Sequence, residues 1–154
     1  MRAYEVFQAF IGSCEEGARF RVRRHTLKRY VVAGIALSDP SRNSLDPWIA
    51  VGFDEYAMDC VYIGVNLQNT ARRGAGRRLS ACLLRCLGSN GFSVSEWKFS
   101  DRENSVQPNN WPVWKDYKGL AAIKVGSPEA DALIRQMCDD MKALVAALEH
   151  CHCI

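Results

Sequence analysis

Trp48-Ile49-Ala50-Val51-Gly52-Phe53 and Cys60-Val61-Tyr62-Ile63-Gly64-Val65-Asn66-Leu67 are two short apolar runs divided by an acidic turn around Asp54 and Glu55. Runs of this length, rich in β-branched and aromatic residues and bounded by turn residues, read as strands. Upstream, Tyr30-Val31-Val32-Ala33-Gly34-Ile35-Ala36-Leu37 is a third such run. It is set off by Ser38-Asp39-Pro40-Ser41-Arg42-Asn43-Ser44, whose chemistry is that of a loop. Earlier still, Phe20 and Val22 alternate with Arg21 and Arg23, a period of two that predicts a strand with its basic face in water. Three or four consecutive strands joined this way make an antiparallel meander.

Helical periodicity flanks the meander. Residues 2–14 place Tyr4, Phe7, Ala9, Phe10, Ile11 and Cys14 toward one side of a short amphipathic helix, and Gly17 ends it. After the meander, Leu79, Cys82, Leu83, Cys86 and Leu87 recur at i, i+3, i+4, i+7, i+8, with Gly88, Asn90 and Gly91 as the stop. A last helix starts at a Ser127 cap, with Pro128 in the first helical position and Glu129 and Asp131 suited to the helix dipole. Phe92–Phe99 and Leu120–Val125 read as strands on either side of an aromatic loop. The expected architecture is α+β, an antiparallel sheet with helices on one face, in the order α-βββ(β)-α-ββ-α.

The length of 154 residues fits a single domain, 1–154, able to build an ordinary core. Hydrophobic and charged fractions of 48% and 24% are those of a globular protein. The longest apolar run, near Tyr30–Leu37, is far too short to span a bilayer, so no membrane association is expected. Arg2 is followed by Glu5, Glu15 and Glu16, which is not the form of a secretory signal. An odd count of 7 Cys without an export signal predicts reduced thiols in a cytoplasm. Cys60, Cys82, Cys86 and Cys138 fall in apolar patterns and read as core.

Charge is concentrated. Arg19, Arg21, Arg23, Arg24, Lys28 and Arg29 form one cluster and Arg72, Arg73, Arg77 and Arg78 another, half of the 20 Lys+Arg in a chain of net charge +3. Concentrated cationic surface meets anionic partners. Thr70-Ala71-Arg72-Arg73-Gly74-Ala75-Gly76-Arg77-Arg78 leads into the Leu79 helix, where backbone N–H groups and guanidinium forks suit a phosphate or carboxylate. It is no P-loop, since the lysine is missing and the glycine spacing differs. The competing reading is a solvated loop paired with local carboxylates. Outward arginines on the first strand bind a partner or simply guard a sheet edge. Trp111 and Trp114, in the loop 108–117, serve as a binding hot spot if exposed and as an edge cover if buried.

Catalytic and metal readings are poorly filled. The tail His150-Cys151-His152-Cys153 offers zinc ligands, but they are consecutive, and a tetrahedral site needs residues between them. No metal or cofactor is therefore expected, and the tail reads as a frayed end. Glu96-Trp97-Lys98 has the form of half a nuclease core without its second carboxylate. His25, among arginines, has no assigned nucleophile. A non-enzymatic role follows.

Ile134, Met137, Met141 and Leu144 form a heptad-like seam, widened by Leu133, Cys138 and Val145. A face that wide serves the sheet on one side and a symmetry mate on the other, which predicts a homodimer through those four residues. Two functions remain. One is a protein-binding module, an inhibitor or adaptor docking through Arg21, Arg23, Arg24, Arg72, Arg73, Arg77, Arg78, Trp111 and Trp114 on an acidic protein surface. The other is a nucleic-acid binder using the same arginines on phosphates. A dedicated nucleic-acid domain usually runs more basic than a pI of 8.5, and no helix-turn-helix, zinc finger or RNP-type strand is legible. That favours protein binding. In size, reduced-cysteine usage and lack of catalytic machinery the chain is similar to the small inhibitors encoded by phages and mobile elements, anti-CRISPR proteins among them. The likeness is one of general character and carries no specific residue. It implies steric blocking of a host nucleic-acid-processing complex.

Overall fold

The computed structural model describes residues 1–14, 19–25, 30–39, 41–42, 45–56, 58–68, 73–100 and 111–153. Its elements run α1 (Ala3–Ser13), β1 (Arg21–His25), β2 (Tyr30–Ala36), β3 (Pro47–Asp54), β4 (Cys60–Leu67), α2 (Arg73–Ser89), β5 (Lys98–Phe99), β6 (Val113–Lys118) and α3 (Pro128–Leu148). The strands form one six-stranded antiparallel sheet in the order β1-β2-β3-β4-β6-β5. The α+β class and the element order match the expectation, and the first four strands are a meander. β1 lies at one end of the sheet, paired to β2 in the register Arg21↔Gly34 through His25↔Tyr30. No helix among the described residues is long and apolar enough to cross a membrane.

Two compact units divide the chain. One comprises Met1–Ile35, Ala50–Ile63 and Asp116–Met141, the other Ala36–Ile49, Gly64–Lys115 and Lys142–Ile154. In the first, α1 buries Ala3, Val6, Phe7 and Phe10, and the Phe7 ring meets Phe53 of β3 edge-on at 5.1 Å. Each such phenylalanine contributes about 1.5–3 kcal/mol of burial. The Ala3 N–H donates to the Met58 carbonyl at 2.7 Å, tying the helix start to the β3–β4 connection. The predicted cap of α3 is present, with Ser127 Oγ accepting from the Ala130 N–H at 3.2 Å. Tyr117 Oη donates to Asp140 Oδ2 at 2.6 Å, joining β6 to α3.

In the second unit, α2 buries Leu79, Ser80, Leu83 and Leu87. Ser80 Oγ donates to the Pro112 carbonyl at 2.8 Å. Gly64 of β4 admits β6 at very close range: a Cβ there would lie 2.1 Å from Val113 O and 2.7 Å from Trp114 Cα. Glycine in a strand marks this kind of close backbone approach.

Several expectations are corrected. The last two strands lie elsewhere than predicted. Phe92–Phe99 is mostly a 3₁₀ turn, Val94–Glu96, with a strand only at Lys98–Phe99, and Leu120–Val125 begins with a 3₁₀ turn, Leu120–Ala122. The strand is instead β6, inside the supposed aromatic loop, where Val113, Trp114 and Tyr117 are buried. Gly119, at φ 72°, ends it in the left-handed conformation. The α3 residues expected at a dimer interface, Ile134, Met137, Met141 and Leu144, are between 0 and 8% exposed within a single chain, so the chain's own core takes them up.

Candidate functional site

The first arginine cluster sits on the sheet's edge. Arg21, Val22, Arg23 and Arg24 are all exposed, so β1 shows both faces to solvent. The period of two puts Arg21 and Arg23 on one face, and Val22 and Arg24 on the other. Val22, expected to point into the core, is 60% exposed because an end strand is not covered on that side. Arg24 Nη1 lies 3.4 Å from Glu55 Oε1, an ion pair open to solvent that contributes little to stability. Arg19, also exposed, precedes the strand. Among the described residues no strand continues the sheet beyond β1, and an edge of this kind offers backbone N–H and C=O groups to another chain. Lys28 and Arg29 lie outside the described residues.

The second cluster is not the glycine loop that was expected. α2 begins at Arg73, so Gly74, Gly76, Arg77 and Arg78 are helical, and Gly76 is buried. Arg77 and Arg78 are exposed on the helix, while Arg72 and the side chain of Arg73 lie outside the described residues. The two glycines fall in the first turn of α2, where backbone N–H groups have no intrahelical partner, so the expected anion-facing stretch is a helix start and not a loop.

Trp111 and Trp114 are 3% and 1% exposed, so they are core and offer no exposed aromatic surface for a hot spot. The Glu96-Trp97-Lys98 triplet does not build a cation site. Glu96 faces Lys115 Nζ at 3.8 Å, and Trp97 is buried against Phe92. Asp54 holds its own turn, accepting from the Tyr56 N–H at 2.8 Å, and Asp59 accepts from the Ala121 N–H at 2.7 Å. Asp39 accepts from both the Ser41 N–H at 2.9 Å and the Ser41 hydroxyl at 2.8 Å. Those two bonds, the backbone one foremost, hold its carboxyl below the ordinary aspartate range.

The cysteines depart furthest from expectation. Cys82 is bonded to Cys153 and Cys86 to Cys151, so the tail is fastened to α2 and does not fray. Cys82 and Cys86 are half-buried beside the leucine stripe, not within it. Cys14, Cys60 and Cys138 take no part in these disulfides, and the Cys14 and Cys138 sulfurs lie 3.3 Å apart. The i, i+4 spacing on α2 and the i, i+2 spacing in the tail were both visible in the sequence. Each is a local pattern, and only the fold shows that they meet. The reduced-cysteine premise of the inhibitor resemblance does not hold for these four residues.

Compared with known protein families, curated proteins and solved structures, the chain matches none.

Proposed function

We propose that the chain is a non-enzymatic protein-binding module that takes an acidic segment of a partner protein along β1. The observation that carries this reading is the exposure of four consecutive residues on an end strand, three of them arginine. Strand addition gives affinity through main-chain hydrogen bonds, and side chains on alternate faces give specificity. Arginine at Arg21 and Arg23 on one face, and Arg24 on the other, selects carboxylate-bearing partners through charge-assisted bonds. The module then acts as an inhibitor or adaptor by covering the surface it docks on. A target within a nucleic-acid-processing complex is the form suggested by what is left of the resemblance to phage-encoded inhibitors, namely size and lack of catalytic machinery.

The test is a pull-down of tagged protein from its native host, with and without nuclease, followed by amide hydrogen exchange on the purified complex. A discrete partner that survives nuclease, protects β1 amides and is lost on Arg21→Glu/Arg23→Glu supports the reading. Retention of the partner by Arg77→Glu/Arg78→Glu places the contact on β1 and not α2. Recovery that collapses with nuclease, together with binding of purified protein to DNA or RNA that weakens steeply with salt, assigns the arginines to phosphates instead.

A further inference from the structure

The fold brings together four cysteines from two distant stretches. Cys82 and Cys86 are one turn apart on α2, about 6 Å along the helix axis. Cys153 and Cys151 stand opposite them at Cα–Cα distances of 6.0 and 5.9 Å. All four belong to one compact unit. The turn of the tail is held by backbone bonds as well as by the sulfur–sulfur bonds. The Cys151 N–H donates to the Leu148 carbonyl at 3.0 Å, and the His150 N–H to the Ala147 carbonyl at 3.3 Å, which turns the tail at the end of α3. On the α2 side, Asn90 Nδ2 donates to the Cys86 carbonyl at 2.8 Å and lies 3.5 Å from Cys86 Sγ. With the disulfides closed, no group of His, Cys, Asp or Glu among the described residues could hold a metal ion.

We propose that the reduced form of this cluster is a zinc site, with Cys82, Cys86, Cys151 and Cys153 as its four thiolate ligands. Zinc in structural sites takes four ligands tetrahedrally, with Zn–S near 2.3 Å, which sets neighbouring sulfurs about 3.8 Å apart. Sulfurs carried on Cα positions 6.0 and 5.9 Å apart reach that separation by rotation about the Cα–Cβ bonds. The helical pair and the tail pair approach from opposite sides, as convergence requires. The Asn90 amide supplies the N–H donor to sulfur that steadies a metal-bound thiolate. The chemistry balances with a dithiol as reductant. Each disulfide takes up two electrons and two protons while the dithiol closes its own disulfide, so both bonds yield four thiols. Zinc then displaces four protons as the thiolates coordinate, and the site carries a net charge of −2. Zinc and the two disulfides are thus alternative fasteners for the same tail, chosen by the redox state of the surroundings. The inference is independent of what β1 binds.

The test uses full-length protein reduced with a phosphine, freed of reductant under anaerobic conditions, and titrated with Co(II) and then Zn(II). The expected result is one Co(II) per chain with the ligand-field and charge-transfer bands of a tetrahedral tetrathiolate, displaced by one Zn(II). Cys151→Ser/Cys153→Ser should weaken zinc at least hundredfold against a chromophoric chelator, whereas Cys60→Ser and Cys138→Ser should leave it unchanged. Reduced wild-type protein that gives no thiolate bands, or bands of only two sulfurs, overturns the proposal. Tight binding that persists in Cys151→Ser/Cys153→Ser overturns it equally. The wild-type titration needs no substitution, so a variant that fails to fold leaves the test standing.

Discussion

Single residues set how closely the backbone can approach itself. Gly64 is the sharpest case, because the space where a Cβ would go is occupied by the Val113 carbonyl and the Trp114 Cα. Those are backbone atoms, which cannot swing aside as a side chain would. Gly64→Ala is therefore expected to destabilise at the upper end of the overpacking range, about 3 kcal/mol, read as a lowered urea midpoint. An unchanged midpoint would show that β6 moves away freely. The Tyr117–Asp140 bond supports a second comparison. Asp140 is 8% exposed and accepts from Tyr117 Oη and also from Gln136 Nε2 at 2.9 Å. Tyr117→Phe removes the buried donor and should cost about 1–3 kcal/mol, whereas Gln136→Ala removes an exposed donor and should cost less. Equal midpoints for the two variants would contradict that order. Asp39 titrates in solution and needs no unfolding. Its carboxyl, held low by Ser41, contributes to the turn above the ordinary aspartate range, and that contribution is lost as pH falls through the lowered value. Ser41→Ala takes away the hydroxyl but keeps the backbone N–H, so the Asp39 midpoint followed by NMR should rise only part of the way.

At the scale of elements, the two disulfides share one closure. They join α2 to the tail across sequence separations of 71 and 65, and once either forms, the other closes only a small ring. Chain entropy then makes their contributions unequal to a simple sum: losing one costs about 2 kcal/mol and losing both costs about 6 kcal/mol. The comparison is Cys82→Ser/Cys153→Ser, Cys86→Ser/Cys151→Ser and the quadruple variant, unfolded in urea under oxidising conditions. Strict additivity would sink the shared-closure account. These bonds also show why sequence reading stops where it does. α1, α2 and α3 were legible because apolar residues at 3.6-residue spacing and a Ser127-Pro128 start are local signals. β6 was not, because Pro112 and the clustered Trp111, Trp114 and Tyr117 have the composition of a loop, and burial alone makes them a strand and its edge. Leu120–Val125 misled in the opposite direction. Its apolar residues lie between Gly119 and Gly126, both at positive φ, and turn instead of extending. The cysteine pairing depends on the tail returning to α2, a long-range contact with no local trace. On β1 the arginines were readable as outward residues, but its place at the end of the sheet, which exposes Val22 as well, was set by the strand order.

At the scale of the whole molecule, the question is what apolar surface remains for self-association. The α3 seam that suggested a homodimer is covered within one chain, and Leu133, Cys138 and Val145, which widen it, are only half-exposed. Among the described residues, the large apolar side chains left exposed are Tyr4, Val22, Tyr56, Met58 and Val125. Val22 lies on β1 among arginines, where a second copy would bring like charges together. A stable dimer buries about 800 Å² on each partner around an apolar centre, more than scattered residues of this kind supply. The expectation is a monomer of 17.3 kDa by size-exclusion chromatography with light scattering at micromolar concentration. Both redox states should give it, because the four bonded cysteines pair within the chain and their reduction frees no intermolecular link. Thiol counting of denatured, unreduced protein adds an independent check and should find only Cys14, Cys60 and Cys138. A dimer mass that disappears on reduction would place a bond between chains, and a thiol count still at three would contradict its use of Cys14, Cys60 or Cys138 and so overturn the pairing within the chain. A dimer mass that persists on reduction would instead return α3, or the Tyr4, Tyr56 and Met58 surface, to consideration. Tyr4→Ser/Tyr56→Ser, which alters only exposed side chains, would separate those two by whether the mass falls to that of one chain.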